Sequence, residues 1–283
     1  MRLPAWVHRA SHRIVDLGLG IHPGEVLNPR PQHGPPLDMV LPALRAFLHS
    51  GEVDYASLRH APEYAQFCAA ADALHRVEPS PAEPAARAWW INLYNGLIIH
   101  AVIAFDIRRS VWEDRGFFRR AAYIVAGHRM SADDIEHGVL RGNRPHPLLR
   151  LRQFAPGDLR LRWSLPLDSR VHFALVCASR SCPPVGLYTT SALEAQLDLA
   201  VLAFITGGGV RTDPRTRTVF LSKIFQWYQA DFGGRAGVRA FIARYADEQT
   251  RALLLDPRVN VRYLPYDWTL NAAGLSRPAS VRL

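Results

Sequence analysis

Cysteine is scarce in this chain of 283 residues, and the scarcity already excludes several classes of protein. Cys68, Cys177 and Cys182 cannot all pair with one another, and a disulfide-built scaffold of this length would need many more. A zinc site asks for about four ligands. Cys177, Cys182 and the nearby His172 supply one fewer, so no metal and no other cofactor is expected. Lysine is nearly absent, Lys223 standing alone, so the formal charge of +9 comes from arginine. That charge is spread along the chain without a run of five or more basic residues or a basic-aromatic motif, which argues against nucleic acid as a partner. No apolar run approaches the roughly 18 residues of a membrane-spanning helix. The first 20 residues interleave Arg2, Arg9 and Arg13 with Trp6, Val7, Ile14 and Leu17, and lack the continuous apolar core of a secretory leader. The expectation is a cytoplasmic protein whose N-terminal stretch is a docking helix or a surface-lying amphipathic one.

What is present reads as globular material, 48% hydrophobic and 21% charged, enough for one domain. Prolines at 23, 29, 31, 35 and 36 mark an extended linker. The chain therefore divides into an N-terminal extension (1–36), a main domain (37–271) and a C-terminal tail (272–283). Helical spacing marks 39–48, then 64–74 after Pro62, then 85–105, the longest such pattern. A short strand over 123–128 enters a glycine turn, and Ser131 caps a helix running to Arg141. Residues 142–167 are aperiodic and form a long loop, a lid or crossover candidate. Ser191 and Glu194 form a capping box for a helix over 192–204, closed by Gly207 to Gly209. A hairpin (210–212 and 216–221), an aromatic helix (224–232), a further helix (238–255) and a closing strand with an aromatic anchor (260–271) complete the chain. Helices outnumber strands, so the fold class is α+β: a helix-rich single domain with a small, mainly antiparallel sheet.

The best candidate for a chemical centre is Val171-His-Phe-Ala-Leu-Val-Cys-Ala-Ser-Arg-Ser-Cys-Pro-Pro184, where a histidine and two cysteines end an apolar run. Residues 171–177 read as a buried strand and 178–184 as a loop. Alternation along a strand puts His172 and Cys177 on opposite faces. Cys182, beyond the turn, is the thiol that could return to the imidazole, and Arg180 beside it could lower its pKa. The structural alternative is that both cysteines are small buried hydrophobes and His172 bonds to backbone.

The 85–105 helix is apolar on nearly all sides, so it should be a buried central helix. Asn92 and Asn95, three apart, share a face. Each amide must find partners or cost about 1–3 kcal/mol. They could fix neighbouring loop backbone, or orient an imidazole or serve a developing oxyanion. Glu136 and His137 are adjacent, so a helix would point them in different directions; a solvated or bridging face is the default for both.

Six ordered blocks carry a family resemblance: Trp90-Ile-Asn-Leu-Tyr-Asn95, Asp134-Ile-Glu-His-Gly-Val-Leu-Arg141, Val171 to Ser179, Ser181-Cys-Pro-Pro184, Leu221-Ser-Lys-Ile-Phe-Gln-Trp-Tyr228 and Tyr266-Asp-Trp-Thr-Leu-Asn271. Over about residues 37 to 271 the chain resembles domain-of-unknown-function family 547 (DUF547), found in bacterial proteins and at the C-terminus of some plant proteins. The resemblance brings no established activity. Members often carry a secretion signal or lipoprotein anchor, which is not readable here. A buried helix followed by a strand that opens with His172 is also similar to the papain-like and transglutaminase-like layout, in which a helix-start cysteine faces a strand histidine. Here Asn92 stands at that place. This implies either that Cys182 substitutes from the other side or that the protein is a binding descendant of an enzyme.

Three readings follow. In the first, a thiol enzyme acts on a small-molecule or peptide substrate by acyl transfer or amide hydrolysis: Cys182 attacks, His172 accepts its proton, and Asn92, Asn95 or Glu136 orients the ring or stabilises the oxyanion. Arg180 and Ser181 beside the thiol, with Trp227, Tyr266 and Asp267, would bind the substrate. In the second, the aromatic residues build the groove of a noncatalytic ligand- or protein-binding module. In the third, Cys177 and Cys182 form a redox pair.

Overall fold

The structure, a computed structural model, describes residues 12, 15–22, 24–49 and 51–275. The N-terminal reading from Arg2 to Ile14, and residues 276–283 of the tail, lie outside the described residues. Short helical pieces come first: α1 (Leu37–Val40), a 3-10 turn (Leu41–Phe47), α2 (Tyr55–Leu58) and α3 (Pro62–Ala73), with β1 (Leu48–His49) and β2 (Glu52–Val53) paired antiparallel between them. The helix read over 39–48 is thus mostly 3-10, because Pro42 sits in its first turn and cannot donate. Next comes α4 (Ala85–Ala104), buried along nearly its whole length, with Trp90, Leu93, Tyr94 and Leu97 under the main core.

Beyond α4, α5 (Phe117–Arg120) leads into the hairpin of β3 (Ala122–Val125) and β4 (His128–Ser131). Ser131 then opens a π-helix (Asp134–Leu140) through a reciprocal cap. Its Oγ accepts the Asp134 N–H at 3.1 Å, and Asp134 Oδ2 accepts the Ser131 N–H at 2.9 Å. α6 (Leu193–Phe204) follows the long loop, which holds 3-10 turns at Leu159–Trp163 and Ser169–Phe173. The last third comprises β5 (Val210–Asp213), β6 (Thr218–Leu221), α7 (Lys223–Trp227), a 3-10 turn (Gln229–Phe232), α8 (Gly234–Ala243), α9 (Glu248–Leu255) and β7 (Asn260–Tyr263). β5 and β6 pair antiparallel, β6 and β7 parallel. Helix far exceeds strand, at about 49% against 10%, as expected of a helix-rich α+β single domain. The strands fall into three small sheets. Among the described residues no helix is long and apolar enough to cross a membrane.

Four local expectations are corrected. The strand read over 171–177 is a 3-10 turn as far as Phe173 and irregular chain beyond it, because Asp168 accepts the Arg170 N–H and starts a helical turn there. Ser191 and Glu194 form no capping box: Ala192 is the cap residue of α6, and Glu194 turns instead to Arg170 at 2.6 Å. The helix read over 238–255 is two, since Asp247 caps a new start by accepting the Thr250 N–H. The proline-marked segment before residue 37 is anchored at Asn28, which is fully buried. Its amide donates to Ala71 and Ile124 carbonyls and accepts the Ile124 N–H.

Two hydrophobic clusters meet at the Ser169–Phe173 turn. Val171 and Ala174 belong to the α4 core, while Phe173 joins Phe204, Phe225, Phe232 and Phe241 in the second. One feature of the π-helix is dictated by packing: a Cβ on Gly138 would lie 2.3 Å from the Phe154 ring, which is itself buried. Gly138→Ala should therefore destabilise the fold by about 1–3 kcal/mol, read as a lower urea midpoint at unchanged slope.

Candidate functional site

A cleft of about 440 Å³ lies between the π-helix, the 172–183 segment and the aromatic residues of α7 and the chain's closing stretch. His172, Glu136, Cys182, Trp227 and Tyr266 line it, as do Cys177, Tyr94, Tyr228, Asp133, His137, His146 and Arg119. Asn92, Asn95, Arg180, Ser181 and Asp267 are not part of its lining.

Asn92 and Asn95 act on backbone. Asn95 Nδ2 donates to Ala174 O at 2.9 Å while its Oδ1 accepts the Val176 N–H at 3.1 Å. Asn92 treats Tyr188 the same way, donating to its carbonyl at 2.7 Å and accepting its N–H at 2.9 Å. Each carboxamide thus mimics a neighbouring strand, which is why the extended residues after 173 need no β partner. The loop from 178 to 181 is held from the other side by the chain's end. Arg180 N donates to Thr269 O, Asn271 N to Ala178 O, and Ser181 Oγ accepts the Asp267 N–H at 2.8 Å. The Arg180 side chain reaches the Leu275 carbonyl. These residues hold the loop in place rather than face the cleft.

The two thiols lie side by side in different roles. Cys182 Sγ accepts the Cys177 N–H at 2.8 Å and faces the Leu175 carbonyl at 3.7 Å. Burial, together with the neighbouring Cys177 sulfur, pushes the Cys182 thiol well above its ordinary pKa. Cys177 Sγ lies 3.1 Å from both the Ser179 and the Tyr266 hydroxyl. Burial alone would raise it too, but hydrogen bonds from Cys182, Ser179 and Tyr266 outweigh burial and bring it down. Ala178 between them holds a left-handed backbone, φ 58°, a strained conformation for a residue with a Cβ. Among the described residues no hydrogen bond joins either sulfur to an imidazole.

The imidazole is held elsewhere. His172 Nε2 lies 3.0 Å from Asp231 Oδ2, and the ring stacks on Tyr228 with centroids 4.0 Å apart. Burial would raise the Asp231 pKa, but hydrogen bonds from His172 and from Arg141, whose Nε is 2.6 Å away, keep it at about 2. With Nε2–H donating to this carboxylate, Nδ1 is the ring nitrogen left for proton exchange. Glu136 accepts from Tyr228 OH at 2.5 Å and Tyr94 OH at 3.2 Å. His137 also turns inward, its Nδ1 3.8 Å from Glu136 Oε1, contrary to the expectation that the two would diverge. The π-helix is the reason: its i to i+5 bond from Arg141 N to Glu136 O widens the turn and brings neighbours toward one side.

Asp133, His137 and His146 each offer a ligand-type atom within 4.8 Å of the others, the spacing of a metal site. Their outer hydrogen bonds point the other way. A metal-bound imidazole donates its second N–H outward. Here Arg141 Nη1 donates to His137 Nδ1 at 2.9 Å, and the Leu148 and Leu149 N–H groups donate to His146 Nδ1 at 3.1 Å. Both rings therefore carry their proton on Nε2, and this set does not fit a cation.

Sequence reasoning missed Asp231, Tyr94, Tyr228, Asp133, His146, Arg119 and Arg141. Asp231 had one visible signal, a lone acid within the aromatic run 224–232. The others come together only through folding, since residue 94 lies on α4, 119 on α5 and 228 in the turn after α7.

The site and fold together describe a helix-rich α+β protein with a half-buried thiol pair and a carboxylate-held imidazole in one aromatic cleft. The model of the family described as Protein of unknown function, DUF547, matches residues 81–205, bearing out the resemblance for that segment. It takes in Asn92, Asn95, Glu136, His172 and both cleft cysteines, while Asp231 and Tyr266 lie beyond it. No curated protein and no solved structure matches the chain.

Asp133 gives the site a measurable pH signature. Burial pushes its carboxyl up to about 7. Between the ordinary carboxyl pKa of about 4 and this value the folded state holds a proton the unfolded chain has lost, so stability should fall as pH rises. Asp133→Asn should flatten that decline in melting temperatures taken across the interval.

Proposed function

We propose that the cleft is the centre of a thiol-dependent acyl-transfer or amide-hydrolysing enzyme with Cys177 as nucleophile. The observation that carries this reading is a sulfur of lowered pKa sharing one cleft with an imidazole backed by a carboxylate. Spacing along the chain favoured Cys182. The hydrogen bonds favour Cys177, because the Tyr266 hydroxyl, itself accepting from Ser179 Oγ, can donate to its thiolate, whereas a Cys182 thiolate would lie beside another sulfur. A thiol and an imidazole oriented by a third polar group are also the parts of the papain-like layout, where the third group is an asparagine carboxamide; the analogy is of roles rather than of chain order.

In this reading the Cys177 proton passes to His172 Nδ1, and Asp231 balances the imidazolium. The thiolate adds to the acyl carbon, forming a C–S bond. The C–N bond then breaks as the leaving amine takes the proton from His172, and water or a second nucleophile releases the acyl group and restores the thiol. Glu136 positions the ring indirectly: it anchors Tyr228, against which His172 stacks. Asn92 and Asn95 position the loop.

Treatment with iodoacetamide across pH, with the label located by mass, tests this. Cys177 should be modified before Cys182, with an apparent pKa below the ordinary thiol value of about 8.5. Tyr266→Phe should raise that pKa and slow labelling at neutral pH. Labelling of Cys182 first, or slow labelling of both, would remove the support for an activated Cys177.

The packing of the Cys182 sulfur against the Cys177 backbone N–H at 2.8 Å favours a second reading, a redox pair. A small-molecule disulfide would then oxidise the protein to a Cys177 to Cys182 disulfide by exchange, releasing two equivalents of thiol. Oxidised protein with both cysteines still alkylatable would eliminate it.

A further inference from the structure

Arg119, His137 and His146 line the same cleft but have no part in the thiol chemistry. Arg119 is only 8% exposed. Its Nε donates to Asp16 at 2.6 Å and its Nη2 to His12 Nδ1 at 3.3 Å. Nη1 is buried and makes no hydrogen bond, Asp133 Oδ2 lying 3.9 Å away. A buried charged N–H without an acceptor is costly to the fold. Beside it stand the two imidazoles whose protons are fixed on Nε2 by the donors at Nδ1. His137 Nε2 is 3.9 Å from Asp133 Oδ1. What has the spacing of a metal site is, by the polarity of its atoms, a set of donors.

Neighbouring acids do not fill that role. Glu136 already accepts from two tyrosines and Asp231 from His172 and Arg141. Asp133 is the acid nearest the donors, and burial favours its neutral form. At the other wall of the cleft Trp227, Tyr266 and Trp268 pack ring against ring, with centroids 4.6–5.7 Å apart, a surface suited to a planar or apolar body.

We propose that the cleft takes an amphipathic carboxylate, its apolar body against Trp227, Tyr266 and Trp268 and its carboxylate on Arg119 Nη1 and the Nε2–H groups of His137 and His146. This names the substrate class of the thiol site and rests on that reading only for what happens at Cys177; the binding stands or falls by itself. A guanidinium N–H joined by imidazole N–H donors is a charge-assisted carboxylate receptor.

Calorimetric titration of the whole protein with phenylacetate, phenylacetamide and Zn²⁺ alone tests the assignment. Phenylacetate should bind at least tenfold more tightly than its neutral amide, and the preference should be the same in Cys177→Ala, so a failure of the thiol chemistry leaves this result readable. Arg119→Gln should erase the preference by weakening phenylacetate far more than the amide. His146→Asn should narrow it without disturbing the loop, because the asparagine carboxamide oxygen can accept the Leu148 and Leu149 N–H groups while the Nε2–H is lost. The proposal is overturned by equal affinity for the two compounds, by no phenylacetate binding at millimolar concentration, or by a preference that survives both substitutions. One-to-one Zn²⁺ binding that His146→Asn abolishes would overturn it too, in favour of a cation.

Discussion

Two carboxamides on one face of α4 decide where the functional segment lies. Asn92 and Asn95 sit in a largely apolar helix, and each closes a two-way hydrogen-bond pair with loop backbone, at Tyr188 and at Ala174 and Val176. In a low-dielectric core such bonds are strong, and the alternative, unpaired backbone, is expensive. The segment from 174 to 188 therefore has one register against the helix. A shift of one residue would unpair both amides at once.

From that register the rest of the site follows. With Val176 pinned, Cys177 emerges at the cleft, and the left-handed Ala178 turns Ser179 back toward its sulfur. Upstream, the Ser169–Phe173 turn sends Phe173 into the second core and leaves His172 against Tyr228 and Asp231. The two hydrophobic clusters thus meet at the segment that carries the cleft's imidazole. The polar network of His172, Asp231, Arg141, Glu136 and its tyrosines lies along the seam between them.

The central helix, the first strand of the hairpin after it, the Ser131 cap and the fold class were legible in the sequence, because period, capping chemistry and apolar run length are local signals. Asn92 and Asn95 were flagged as conspicuous for the right physical reason, a polar group in an apolar helix, with loop fixation among the expected roles. The 171–177 strand was misread because an apolar β-branched run looks alike whether its partner is a strand or a side-chain amide. Glu136 and His137 were separated on paper by ordinary helical geometry, and only a π-helix brings them together. Asp231 and Tyr266 lie some ninety residues beyond their partners Arg141 and Cys177, and pairings of that range leave no local trace.

The closing stretch has a consequence for how the protein is made. Residues 266–271 lie antiparallel beside 178–181, and Tyr266 supplies a hydroxyl to the Cys177 sulfur. While the chain is being synthesised, the sulfur leaves the ribosome long before that tyrosine does. A nascent chain carries this sulfur without one of its hydrogen-bond partners until residue 266 has been added.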